Sequence, residues 1–235
     1  MRVIIESWLS QCPYLIGANW ASSLELAIRL INWSLAWPVI GGAGSPLFRD
    51  EAGETLRRKW LDSIYQHSHF IAGAYSRYSS ANNHLIGEAA GLYTAACTWP
   101  LWPESTHWKN QAKAILIEES HVQNTSDGVN REQALSYQQF VLDFLLIAGL
   151  HGQKSGGDFP PAYWQRIERM VEFIGAMMDV AGNLPMIGDA DDGYVVRLSQ
   201  EKDFCPFRSL LATGAVLFKR DDFARKARRF DDKSR

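Results

Sequence analysis

Two stretches of the chain place chemically able side chains at the start of apolar helical runs. One is Ser79-Ser80-Ala81-Asn82-Asn83-His84, and the other runs from Asn130 through Arg131, Glu132 and Gln133 to Ser136-Tyr137. Asparagine is a natural N-cap, so helix capping alone accounts for Asn82-Asn83. The same residues suit a second task. A carboxamide and an imidazole at the positive end of a helix bind and partly neutralise a carboxylate. That matters most for elimination from a uronic acid, where the C5 proton lost lies next to a carboxylate. The carboxylate must be held while charge spreads onto it, a base must take the C5 proton, and an acid must protonate the departing O4. Tyr137 suits the acid role and, once deprotonated, the base role. A phenol ordinarily titrates at about 10, so nearby positive charge must help, with Arg131 and His84 as candidates. Core packing is the competing account of both Tyr137 and His84.

A further cluster, Ile187-Gly188-Asp189-Ala190-Asp191-Asp192-Gly193, suggests Ca²⁺ or a pair of glycosidase carboxylates. The EF-hand pattern fails, because the glycine comes one position early and Gln200 stands where the bidentate Glu belongs. A hydrolytic pair stays open, using Asp189 or Asp191 with Glu132. An Asp/Gly turn making local hydrogen bonds is the favoured account of the cluster. His67 and His69 are two apart and face different sides of a helix. His107, His121 and His151 lack ligand-like companions. No phosphate loop, dinucleotide fingerprint, nucleophile elbow or zincin motif occurs.

These residues need helices to hold them, and three-and-four spacing supplies them. Helices are expected over about 20–37, 51–75, 81–97, 103–122, 131–150, 162–181 and 207–218. Residues 1–19 read as a short helix or an extended piece. Gly87 and Gly91 suggest a close helix–helix approach, since glycine otherwise costs about 1 kcal/mol in a helix. The Trp20, Trp33, Trp37 stripe reads as core. Tyr194 to Leu198 allows at most one short strand. The class is all-α, as a bundle, a solenoid or an α/α toroid.

The 235 residues hold enough apolar side chains for a sizeable core. Net charge is −2, with 14 basic and 20 acidic residues before position 201 and 10 basic and 6 acidic after it. Nothing in this points to nucleic acid, and anionic ligands must be bound by local field. Three scattered cysteines make neither a metal pair nor a disulfide framework. No apolar run reaches the roughly 18 residues of a membrane helix. No signal peptide is apparent, which leaves a cytosolic protein or a leader absent from this chain.

Four segments together resemble the heparinase II/III superfamily of polysaccharide lyases. They are Ile16-Gly17-Ala18-Asn19-Trp20 with Glu25 to Arg29 and Asn32-Trp33; Ser80 to Leu85; Glu132 to Val141; and Pro185 to Gly193. The resemblance implies an incomplete α/α toroid of antiparallel helix pairs, followed by a C-terminal β-sandwich. It implies β-elimination on heparan sulfate, alginate or a related uronic-acid polymer, with no cofactor or metal in this part. The family's carboxylate-binding Asn falls on Asn83, its adjacent His on His84 and its catalytic Tyr on Tyr137. Asn82, Arg131 and Gln133 become candidate substrate contacts, and Gly188-Asp189 reads as structural. A further histidine, and any Zn²⁺, belongs to the sandwich, whose first residues are expected near Asp231. On this footing 1–219 is the toroid domain and 220–235 a charged tail or the sandwich's beginning. The parent protein would be periplasmic or secreted and bacterial. Two rivals remain: a non-catalytic carbohydrate-binding module, and a toroid glycosidase using Asp189 or Asp191.

Overall fold

The structure is a computed structural model that describes residues 1–189 and 193–234. Among these residues nine α-helices form: α1 (Arg2–Gln11), α2 (Ser23–Val39), α3 (Glu51–Gly73), α4 (Asn83–Thr98), α5 (Ser105–Val122), α6 (Leu135–Lys154), α7 (Pro161–Met177), α8 (Pro206–Phe218) and α9 (Asp221–Ala227). No strand forms among the described residues, including 194–198, and an isolated β-bridge joins Asn124 and Asn130. The all-α expectation holds there.

The helix ends depart from expectation where side chains override the apolar period. α7 stops at Met177 because Asp179 turns the chain, its Oδ1 accepting from the N–H of Gly182 at 2.6 Å and of Asn183 at 2.8 Å. α6 begins at Leu135, four residues later than its sequence suggests. α9 was not expected. Its apolar face is only Phe223 and Ala227, both buried, too few positions to stand out in a charged stretch.

Two compact units divide the chain, Met1–Lys113 and Ala114–Arg235. In the first, α2 and α4 approach so closely that a Cβ on Gly91 would lie 2.5 Å from the Ala27 Cα. Glycine is required there by space alone. Asp50 caps α3 by accepting from the Gly53 N–H at 2.6 Å. Trp8, Trp20 and Trp33 enclose the fully buried His67, with ring centres 4.4–5.6 Å from the imidazole. Its Nδ1–H donates to the Ser63 carbonyl at 2.7 Å, and Nε2 accepts from Arg29 at 2.8 Å. Burial, and secondly the Arg29 charge, push this imidazole down to about 3.

In the second unit, Tyr163 of α7 is fully buried and donates to the Leu145 carbonyl of α6 at 2.7 Å. Arg220 reaches Glu168 and Glu172 of α7 and Asp222 of α9, at 2.9, 3.1 and 2.7 Å, and lies over the Phe223 ring. These pairs are partly exposed, so they orient α9 more than they stabilise it. Lys233 pairs with the buried Asp143 of α6.

Candidate active site

The first candidate stretch is a helix start that supplies its own cap. Asn82 is the N-cap of α4, and its side-chain oxygen accepts from the His84 N–H at 3.0 Å. Asn83 is therefore the first helical residue. It is buried, whereas His84 is half-exposed. A one-turn 3-10 helix, Tyr78–Ser80, leads into this start, and Tyr78 is 93% exposed in a left-handed conformation, φ 58°.

One turn along from His84, on the same face of α4, lies Glu88, which is fully buried. Its carboxylate accepts from the Ser76 N–H, the Ser76 hydroxyl and the Ser23 hydroxyl, each at 2.7 Å. These bonds tie the approach to α4, and α2 behind it, to the helix that carries Asn83 and His84. The neighbouring Tyr75 phenol is held above its ordinary value, chiefly by burial and then by the Glu88 charge. Apolar spacing does not single out Glu88. An acid inside the otherwise apolar run from Leu85 to Ala96 was the available signal, since a buried carboxylate must be hydrogen-bonded.

The second stretch is held from outside. Because α6 begins at Leu135, Tyr137 lies in its first turn, not its second. The residues expected to begin the helix form a loop instead. Asn130 is buried, and its Oδ1 accepts from the Glu132 N–H at 3.0 Å. Gln133 is left-handed at φ 56°, which a helix excludes. Arg131 and Gln133 both point to solvent, and Tyr137 is half-exposed.

Ala134 occupies the N-cap and offers no side-chain bond. The cap is supplied from fifty residues away. The Leu135 N–H donates to the Ile187 carbonyl at 3.1 Å, and the Ser136 hydroxyl donates to the Asp189 carbonyl at 2.5 Å. On the other flank the buried Gln138 accepts from the Asn130 N–H at 2.7 Å and donates to the Gly128 carbonyl at 2.9 Å. Tyr137 thus sits between two anchored neighbours. A cavity of about 280 Å³ opens beside this start, lined among others by Ser136, Gln139, Met186, Ile187, Tyr194 and Phe207.

Asp189 serves this start through its backbone carbonyl, and its side chain is exposed. Asp191 lies outside the described residues. Among the described residues, no group of three or more His, Cys, Asp and Glu side chains converges as metal ligands would. No described helix is long and apolar enough to cross a membrane.

Chemically, the first unit presents a buried carboxamide and a half-exposed imidazole where a helix favours anions. The second presents a phenol in the corresponding turn of another helix, with an exposed guanidinium six residues before it.

The sequence matches the Heparinase II/III N-terminus family over residues 4–206. It is 25% identical over 134 residues to a heparin-sulfate lyase of Pedobacter heparinus, covering 56% of this chain and 20% of that protein. It is 29% identical over 133 residues to a heparin-sulfate lyase of Bacteroides stercoris, covering 55% of this chain and 19% of that one. Among solved structures, heparan sulfate lyase HepC from Pedobacter heparinus superposes with a TM-score of 0.68 at 20% identity, over 98% of this chain and 35% of its own. A heparinase III structure gives 0.62 at 21% identity, over 75% and 26%. The matched stretch spans about a fifth of the length of the two heparin-sulfate lyases. This likeness bears out the toroid expectation for the fold.

Proposed function

Because the chain belongs to the Heparinase II/III N-terminus family, we propose that it supplies the helical part of a lyase that cleaves a uronic-acid polysaccharide by β-elimination. The observation that carries this reading is the start of α4. There Asn82 takes the capping role, and Asn83 and His84 stand in the first turn at the positive helix end, where anions are favoured.

In this reading Asn83 and His84 hold the substrate carboxylate and take up part of the charge that spreads onto it as the C5–H bond breaks. Tyr137, as phenolate, takes the C5 proton, and as phenol it returns a proton to O4 while the C4–O4 bond breaks. Negative charge developing on its oxygen is favoured by the first turn of α6. Arg131 and Gln133 contact neighbouring acidic sugars, as does the Asn82 amide group. The exposed Tyr78 ring offers a stacking face. A C-terminal β-sandwich, implied by the resemblance, supplies the second histidine of the site. Asp189 enters through its backbone, which supports a structural role for it over a hydrolytic one.

The test is the absorbance of unsaturated uronate released from heparan sulfate, alginate and related polymers. It is run with this chain alone and with this chain joined to a relative's β-sandwich. The expected result is product in the joined form and a loss of roughly 100- to 10,000-fold in Tyr137→Phe, the usual worth of general acid–base catalysis. Glycan binding without turnover in either form would replace the lyase reading with a binding module. Hydrolysis without a new double bond would replace it with a glycosidase.

A further inference from the structure

The segment Pro185 to Asp189 takes no part in the elimination chemistry, yet its backbone is fitted to the helix that carries Tyr137. We propose that Ile187–Asp189 is a positioning strap for Tyr137, acting through Gly188 and Ser136; the catalytic consequence rests on the role given to Tyr137 above.

Three observations carry this. First, α6 has no cap of its own. Ala134 is extended at φ −125° and ψ 135° and contributes no side-chain bond, so the first-turn N–H groups need partners from elsewhere. The Ile187 carbonyl provides one at 3.1 Å. Second, the Ser136 hydroxyl, next to Tyr137 in the chain, is tied to the Asp189 carbonyl at 2.5 Å. Third, the strap approaches as closely as a backbone can. A Cβ on Gly188 would stand 2.5 Å from the Ala134 Cβ, 2.6 Å from its Cα and 2.7 Å from the Gln133 carbonyl. Gly188 is also left-handed, at φ 73°. Both space and backbone conformation therefore demand glycine at this one position.

The consequence is geometric. Gln138 anchors the far side of Tyr137 through Asn130 and Gly128, and the strap anchors the near side. Without the strap the first turn of α6 loses its partners and frays, and the phenol moves with it. An error of about one ångström at a proton-transfer group can cost roughly 100-fold in rate. Gly188, Ser136 and Ile187 are thus positioning residues, and none need touch substrate.

The experiment uses the full chain, fluorotyrosine-labelled, with the Tyr137 resonance assigned by its loss in Tyr137→Phe. Gly188→Ala should shift and broaden that resonance and speed exchange of the Leu135 amide at least tenfold, with the α4 amides unchanged. Ser136→Ala, the milder change should Gly188→Ala fail to fold, should shift the same resonance, and Ser136→Thr should restore it. In the chain joined to a β-sandwich, Ser136→Ala should lower kcat roughly five-fold with KM unchanged, about the worth of one neutral hydrogen bond. An unmoved Tyr137 resonance and unchanged Leu135 exchange in both folded variants would overturn the strap. A moved resonance with unchanged kcat, where Tyr137→Phe is inactive, would overturn its catalytic consequence and leave the lyase reading standing. An active Tyr137→Phe would overturn the lyase reading, while resonance and exchange still decide whether the strap holds.

Discussion

The starts of α4 and α6 are held in opposite ways. α4 caps itself with Asn82, and its approach is bound from beneath by Glu88, one turn further along the same helix. α6 carries no cap, and its first turn depends on carbonyls of Ile187 and Asp189 and on the Asn130–Gln138 bond. A local cap can be written into four consecutive residues. A borrowed cap requires two distant segments to fold together first. The cap beneath the amide–imidazole pair therefore forms with its own helix, whereas the phenol's place is set by contacts made only on folding.

The largest effect expected is the first unit's response to acid. His67 of the first unit is held neutral, at about 3, below the ordinary 6.5. Unfolding that unit below 6.5 takes up a proton, so its stability falls as pH drops from 6.5 toward 3. The slope is at most about 1.4 kcal/mol per pH unit. Tryptophan fluorescence from the ring cluster around His67 should report it, and His67→Gln should flatten the slope. An equally steep fall in the variant would assign the acid sensitivity elsewhere.

Next in size is Glu88→Ala, which strips acceptors from the Ser76 N–H and two hydroxyls. Urea denaturation should show a loss of about 3 kcal/mol, with a smaller loss for Glu88→Gln, which keeps an acceptor oxygen. A loss under about 1 kcal/mol would mean that the approach to α4 is held by something other than this carboxylate.

The smallest effects bear most directly on the contrast between caps. Asn82→Ala should cost about 1 kcal/mol, the ordinary price of an N-cap. Ala134→Asp, which at most helix starts would add a cap and stabilise, should instead destabilise by about 1 kcal/mol or more, because Gly188 already fills the space beside Ala134. Thermal melts of the two variants would decide the matter, and stabilisation by Ala134→Asp would break the comparison.

The same contrast explains what was legible in the sequence. Apolar spacing found seven helices, most to within three residues, because their buried faces are long. The cap at Asn82 was readable from its residue type. The start of α6 was not, since Arg131, Glu132, Gln133 and Ala134 are sound helix formers. The left-handed Gln133 and the Asn130 turn, which bonds to Glu132 and Gln138, move the start to Leu135, and no residue type over 131–134 announces them. The Pro185–Gly193 motif is legible but its partner is not, because sequence spacing carries no sign that a carbonyl fifty residues away completes a helix. Glu88 was overlooked because its three donors come from Ser23 and Ser76, in segments that become neighbours only on folding.

The central proposal is that both of these differently built starts act on a uronic-acid sugar. Titrating a non-cleavable uronate oligosaccharide into the chain while following the His84 imidazole and fluorotyrosine 137 signals tests it most directly. The account predicts that both move and saturate at the same ligand concentration. Movement of one without the other, or saturation at different concentrations, would contradict it.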